Sequence, residues 1–291
     1  EPATLGNNLY LIFTNELLDS KFAYYWLKSA LGIASLFRIA SSTTLPSINK
    51  ENTKSSLFFY PSIKEQQKIV SILSNVDELI SSYDKTIQTT KKLKTGLMQT
   101  LLTKGIGHKK FKIITLLPKY QKIPIPEIWN VVPLKSLIIS QNSGLHNKLE
   151  RRADGKNILG MVDLYENEKI TGQEFTLAEF PENTDDSKYK LEKNDLVYVE
   201  ISLVRTGVGK TVCVTKKGEG TFFAGNLRRF KVKKEINSIF LNYLLNTELY
   251  RNSIINRSYT SALTGIRSSD YYETKIPLPS LTEQQKIASI L

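Results

Sequence analysis

Cationic and amide side chains gather at four places in the second half of this 291-residue chain. Asn147, Lys148, Arg151 and Arg152 form the first group, with Lys156 and Asn157 just after them. Arg205 and Lys210 bracket a glycine turn, Arg228 and Arg229 are adjacent, and a hydroxyl-rich stretch carries Tyr259 between Arg257 and Arg267. Arg, Lys, Asn and Gln hydrogen-bond the edges of guanine and adenine, and Ser, Thr and Tyr hydroxyls hold phosphates. Any one of these loops, taken singly, reads more readily as a solvated turn. Their coincidence with 40 Lys+Arg against 28 Asp+Glu, a formal charge of +12, favours a polyanionic partner, nucleic acid first and anionic membrane second.

Other chemistry is poorly supported. Gly207-Val-Gly-Lys-Thr211 imitates the end of a phosphate-binding P-loop, but the pattern needs Gly at 204, where the chain has Val. A β-branched run, Thr211-Val-Cys-Val-Thr215, follows where a helix would be required. His108 and His146 lack partners at metal-ligand spacing, and Asp185-Asp186 sits in a polar stretch that reads as solvated. The lone Cys213, between Val212 and Val214, excludes an internal disulfide framework and reads as a buried strand residue. With no catalytic constellation, no metal site and no long apolar run, the expectation is a non-enzymatic protein of the cytoplasm that holds no cofactor and meets no membrane.

The elements that must position these side chains are organised by a repeat. Pro61-Ser-Ile-Lys-Glu-Gln-Gln-Lys-Ile-Val-Ser-Ile-Leu73 returns at Pro279–Leu291 with ten of thirteen positions identical, at an offset of 218 residues. Weaker matches at the same offset pair Phe22, Tyr25 and Leu27 with Phe240, Tyr243 and Leu245. A period this long means duplicated domains rather than a solenoid. Each copy starts a helix: Ser62 and Glu65, like Ser280 and Glu283, have capping-box spacing behind a proline. After Ser62 no proline occurs before Pro118, and Lys104-Gly105 supplies a basic last turn and a glycine stop. A helix over 62–104 follows, ~60 Å long at about 1.5 Å per residue. Along it Ile69, Val76, Tyr83 and Leu97, interleaved with Leu73, Ile80, Ile87 and Leu101, fall on seven-residue steps interrupted by Thr90 and Lys94. That is a coiled-coil seam, which asks for a partner helix and admits a homodimer through 62–104.

The segment between the copies reads as β-rich. Strands are expected at Leu196–Val204, Thr211–Thr215 and Leu227–Val232, with helices over 14–38 and Ser238–Ile255. The fold class is α+β, a β-rich domain with small helices joined to a long spacer helix. Expected divisions are 1–58, the end of a first domain; 59–105, the spacer; 106–122, a linker; 123–278, a second domain opening at Ile123-Pro-Ile-Pro-Glu-Ile-Trp129; and 279–291, the start of a second spacer.

The doubled Pro-Ser-x-x-Glu-Gln-Gln-Lys-Ile-x-Ser-Ile-Leu segment, leading into a helix that ends at Leu101-Leu-Thr-Lys-Gly105, resembles the conserved region of the specificity subunit of Type I restriction-modification enzymes. The 125–129 opening and the Thr206-Gly-x-Gly…Ala224-Gly-Asn-Leu227 segment more loosely resemble its target recognition domain. The resemblance implies two recognition domains, each reading half of a bipartite double-stranded DNA site, spaced by antiparallel helices. It implies a subunit without catalytic residues. Modification (methyltransferase) subunits that use S-adenosylmethionine, and restriction subunits that use ATP and Mg, would be its partners. Against that pattern most of the first domain and of the second helix is missing, so a partial chain is expected. The expected DNA contacts are Asn147, Lys148, Arg151, Arg152, Arg205, Lys210, Arg228, Arg229, Tyr259 and Arg267. The competing reading is a coiled-coil scaffold whose charge is incidental.

Overall fold

The computed structural model describes residues 9–40, 47–54, 57–115, 122–145 and 149–291. The chain divides into two compact units, Glu1–Lys91 and Lys92–Leu291.

In the first unit α1 (Ser20–Lys28) and α2 (Ala30–Ile39) replace the single helix expected over 14–38. The break is at Ser29, whose hydroxyl donates to the Trp26 carbonyl (2.6 Å) and then, as N-cap of α2, accepts from the Gly32 N–H. Asp19 caps α1 through the N–H groups of Lys21 and Phe22. A short α3 (Lys50–Lys54) precedes α4, which runs unbroken from Ile63 to Lys104 and realises the expected spacer helix. Within this unit α1 meets the start of α4 through Tyr25, whose hydroxyl donates to Asp77 (2.7 Å). The side chain of Gln66, fully buried, ties the same two helices together. Most of the heptad seam lies bare among the described residues: Val76, Ile80, Tyr83 and Ile87 are all exposed.

The second unit opens with the last turns of α4 and a hairpin of β1 (Phe111–Thr115) and β2 (Lys122–Pro126), so residues 106–122, expected as a linker, contain a paired strand. Then come β3 (Asn130–Pro133), β4 (Ile138–Ser143), β5 (Glu150–Leu159), α5 (Met161–Glu166), β6 (Lys169–Ile170), β7 (Thr176–Glu179), β8 (Leu196–Val199), β9 (Ile201–Ser202), β10 (Thr211–Val214), β11 (Phe222–Phe223) and β12 (Leu227–Val232). The chain closes with α6 (Ser238–Asn246), α7 (Glu248–Arg257), β13 (Tyr259–Thr260), β14 (Thr264–Gly265), α8 (Ser268–Tyr272), β15 (Lys275–Leu278) and α9 (Leu281–Ile290). A five-stranded sheet ordered β4-β12-β8-β10-β6 is the backbone of the unit, flanked by β11-β5-β7 and by the small sheet β13-β14-β9. β3 pairs with β15, so the strands that open and close the domain lie side by side and α9 begins where α4 ends.

The core is aromatic. Tyr198 and Tyr271 stack at 3.9 Å, Phe230 and Tyr272 pack edge-on to them, and Trp129 is buried. Cys213 is fully buried, and burial pushes its thiol up to about 12.

Two expected elements are divided for local reasons. The helix over Ser238–Ile255 breaks at Thr247, whose hydroxyl donates to the Leu244 carbonyl (2.9 Å), the same device as Ser29 one repeat earlier. The expected strand Leu196–Val204 breaks at Glu200. Its N–H and that of Ile201 both turn to the Asn226 carbonyl, and β9 leaves the large sheet to pair with β14.

Candidate nucleic-acid interface

Glu200 is also where the large sheet meets the small one, and four of the expected contacts lie on the strands and turns that meet there. Its carboxylate receives Arg228 Nε and Nη2 at 2.9 and 3.1 Å, a two-pronged clamp. Burial works against the Arg228 charge, but the Glu200 bonds outweigh it and hold the guanidinium above its usual pKa. The Glu200 carbonyl accepts the Ile266 N–H (3.0 Å), which places exposed Arg267 beside this corner as N-cap of α8. β9 leads directly into exposed Arg205, and Tyr259 lies on β13 of the same small sheet, its ring over Gly265. A Cβ at Gly265 would meet the Tyr259 hydroxyl at 2.4 Å, so that position takes only glycine without displacing the tyrosine. Arg205, Arg228, Tyr259 and Arg267 thus share the junction of two sheets.

The remaining candidates are placed elsewhere. Arg151 and Arg152 lie exposed on β5, in the sheet with β7. Arg152 is held by Glu179 (2.7 Å) and Asp154 (3.3 Å), and those charges, Asp154 foremost, raise its pKa. Arg229 follows Arg228 on a strand, so the two point to opposite faces. Arg229 reaches Asn142 Oδ1 and the Lys190 carbonyl, both at 2.7 Å, and lies 3.5 Å from buried Asp195. Burial raises the Asp195 carboxyl despite the nearby cations. Lys210 is half-buried and donates to the Tyr165 carbonyl (2.5 Å), just after the turn that Gly209 makes at φ +70° before β10. Asn147 and Lys148 lie outside the described residues.

Sequence reasoning passed over the edge strand β4. Ser140, Gln141, Asn142 and Ser143 line a shallow cavity of about 580 Å³ with Lys188, Tyr189, Arg228 and Arg229. The signal was present as a Ser-Gln-Asn-Ser run, whose amides suit adenine edges as well as those of the loops. Among the described residues no group of three or more His, Cys, Asp or Glu is arranged to hold a metal, and no helix is long and apolar enough to cross a membrane.

A β-rich domain closed by its own first and last strands, joined to a long helix and bearing cations at a sheet junction, is the architecture of a modular protein. Residues 1–95 and 126–291 match the family model described as the Type I restriction modification DNA specificity domain, and the chain belongs to that family. It is 30% identical over 282 residues to the Type I restriction enzyme MjaVIII specificity subunit of Methanocaldococcus jannaschii, covering 95% of this chain and 64% of that protein. It is 22% identical over 306 residues to the Type I restriction enzyme EcoBI specificity subunit of Escherichia coli, covering 99% of this chain and 61% of that protein. The chain therefore spans less than two thirds of the relatives it matches. Among solved structures, the Type-I restriction-modification system S subunit from M. genitalium shares the fold, with a TM-score of 0.54 at 18% identity over 94% of this chain and 65% of that one. So does a chain solved for complex assembly and conformational transition of the type I R-M system, with a TM-score of 0.55 at 17% identity over 94% and 63%.

Proposed function

We propose that this chain is a DNA-recognition part of a Type I restriction-modification complex, in which the 123–278 domain reads half of a bipartite double-stranded site. The observation that carries this is the family match across both repeat copies, joined to the cation-bearing sheet junction of the second unit. In this reading Arg205, Arg267 and Tyr259 reach the duplex, Glu200 aims Arg228, and Gln141 on β4, beside Arg228, adds an amide donor. Arg151 and Arg152 contribute charge to phosphates from the neighbouring sheet. The bare seam of α4 docks modification subunits and spaces recognition domains, and ~60 Å of helix exceeds one turn of duplex, about 34 Å. The chain supplies no catalytic group. Methylation with S-adenosylmethionine and restriction with ATP and Mg belong to partner subunits, and the complex works in the cytoplasm where its DNA lies.

Reversing Arg151 and Arg152 to Glu tests this against the scaffold reading. Duplex affinity should fall and the dependence of log K on log salt should become shallower by about two contacts. An unchanged affinity and slope would favour the scaffold.

A further inference from the structure

Lys210 lies in a second, larger cleft. Its free volume is about 790 Å³, and it runs between the last turns of α4 and the α6–α7 pair, with the β2 strand at one side. Small-molecule sites commonly have this size. Two cations meet in its wall, Lys210 from the turn before β10 and Arg251 from the first turns of α7. Lys210 Nζ donates to the Tyr165 carbonyl and Arg251 Nη2 to the Thr206 carbonyl (2.6 Å), so each has a neutral partner. Neither forms an ion pair with a carboxylate among the described residues, and Arg251 Nη1 is buried with no partner at all. Two carboxylates do line the cleft. Glu168 is engaged by Lys94 at 2.5 Å, and Glu248 sits in the first turn of α7.

The electrostatics leave this pair only partly compensated, because Glu168 favours the Lys210 charge without offsetting its burial. Burial lowers the pKa of both groups, and Arg251 lowers that of Lys210 further. A desolvated cation with little counter-charge is unfavourable, and two as neighbours are more so. The same wall offers a third positive feature. Thr247, N-cap of α7, spends its hydroxyl on the Leu244 carbonyl and gives no side-chain cap, and the first turn of α7 lines the cleft with the positive end of its dipole. Lys104 and Lys122 also line it, leaving cations in excess over carboxylates.

We propose that this cleft is a binding site for a phosphate-type oxyanion, held by Lys210 and Arg251 at the uncapped start of α7. The anion would neutralise the cation pair in a cleft that Arg205, Arg228, Tyr259 and Arg267 do not line. Its source is either a free phosphate-bearing small molecule or a backbone phosphate of DNA, and the chemistry of recognition is the same for both.

The test is thermal melting of the full chain in inorganic phosphate against chloride at matched ionic strength. Phosphate should raise the melting temperature and saturate as a single site does. Lys210→Gln should fold, since it removes a repulsion, and should weaken the apparent phosphate affinity at least tenfold, while Lys210→Arg should retain most of it. Duplex titrations then separate the sources. Displacement of duplex by phosphate, with a uniform loss of affinity for all duplex sequences in Lys210→Gln, identifies a DNA phosphate. Wild-type duplex affinity in Lys210→Gln, with the phosphate response lost, identifies a free anion. No response beyond that to chloride, or the same response in wild type and Lys210→Gln, overturns the proposal.

Discussion

Gln66 and Gln284 stand 218 residues apart and make the same three hydrogen bonds, whereas Glu65 and Glu283, one residue earlier in each copy, share almost nothing. Gln66 Nε2 donates to the carbonyls of Leu17 and Pro61, and its Oε1 accepts the N–H of Asp19, the cap of α1. Gln284 Nε2 donates to Glu235 and Pro279, and its Oε1 accepts the N–H of Asn237, the cap of α6. Every partner is displaced by the same repeat offset. The glutamine therefore fastens the start of a spacer helix to the domain that precedes it, and the fastening is internal to each copy.

The glutamates differ because their partners belong to the next segment of chain. Glu283 Oε1 accepts from the Ile106 N–H (3.1 Å) and contacts His108 Nε2 (2.7 Å), while Oε2 accepts from Trp129 Nε1 (3.1 Å). These groups come from the stop of α4 and the opening of the domain. Gly105 makes room for them: it sits at φ +65°, and a Cβ there would lie 2.5 Å from Glu283 Oε1 and 2.7 Å from Trp129. Glu65 is exposed, and its carboxylate has no partner among the described residues. The expected capping box is thus half-formed in the second copy. Ser280 Oγ accepts the Glu283 N–H at 3.3 Å, but the carboxylate turns away from the helix start toward Ile106, His108 and Trp129, where several donors outbid one local N–H.

The comparison can be broken by substitution. Gln284→Ala and Gln66→Ala should each cost about 3 kcal/mol in denaturant unfolding, because each strands buried backbone groups. Equal losses support the shared role, and a loss confined to one copy breaks it. Gly105→Ala should cost about 2 kcal/mol, from the left-handed backbone and the crowding of Glu283. Trp129→Phe keeps the ring bulk and loses one charge-assisted hydrogen bond, for about 1–2 kcal/mol by the same assay. Glu65→Gln should change stability by less than about 0.5 kcal/mol, as expected for an exposed side chain, while Glu283→Gln costs measurably more.

What could be read in the sequence follows the same division. The proline-serine start, the heptads and the Lys104-Gly105 stop are local signals, and α4 appears where they place it. The strand Leu227–Val232 was equally local. The breaks at Ser29 and Thr247 were not legible, because a hydroxyl bonding back to a carbonyl three residues earlier overrides a continuous apolar stripe. Nor were the partners of the arginines. Residue type made Arg152, Arg228 and Arg229 candidates for DNA, but Glu179 arrives from β7 and Asp195 and Glu200 from the two ends of β8. Strand alternation separates Arg228 from Arg229, and a glycine turn carries Lys210 into a different cleft. Lys94, which looked like a flaw in the heptads, is explained by Glu168 and the Tyr243 ring.

The central claim is that the second unit reads DNA sequence through its sheet junction. The direct measurement is selection from a randomised duplex library by the wild-type chain and by Arg205→Ala and Arg267→Ala. The account predicts one enriched sequence, bound at least about 1000-fold more tightly than scrambled duplex, with single positions relaxed in the variants at about 1–3 kcal/mol each. Equal recovery of all sequences by the wild type, or an identical enriched sequence and affinity in both variants, would contradict it.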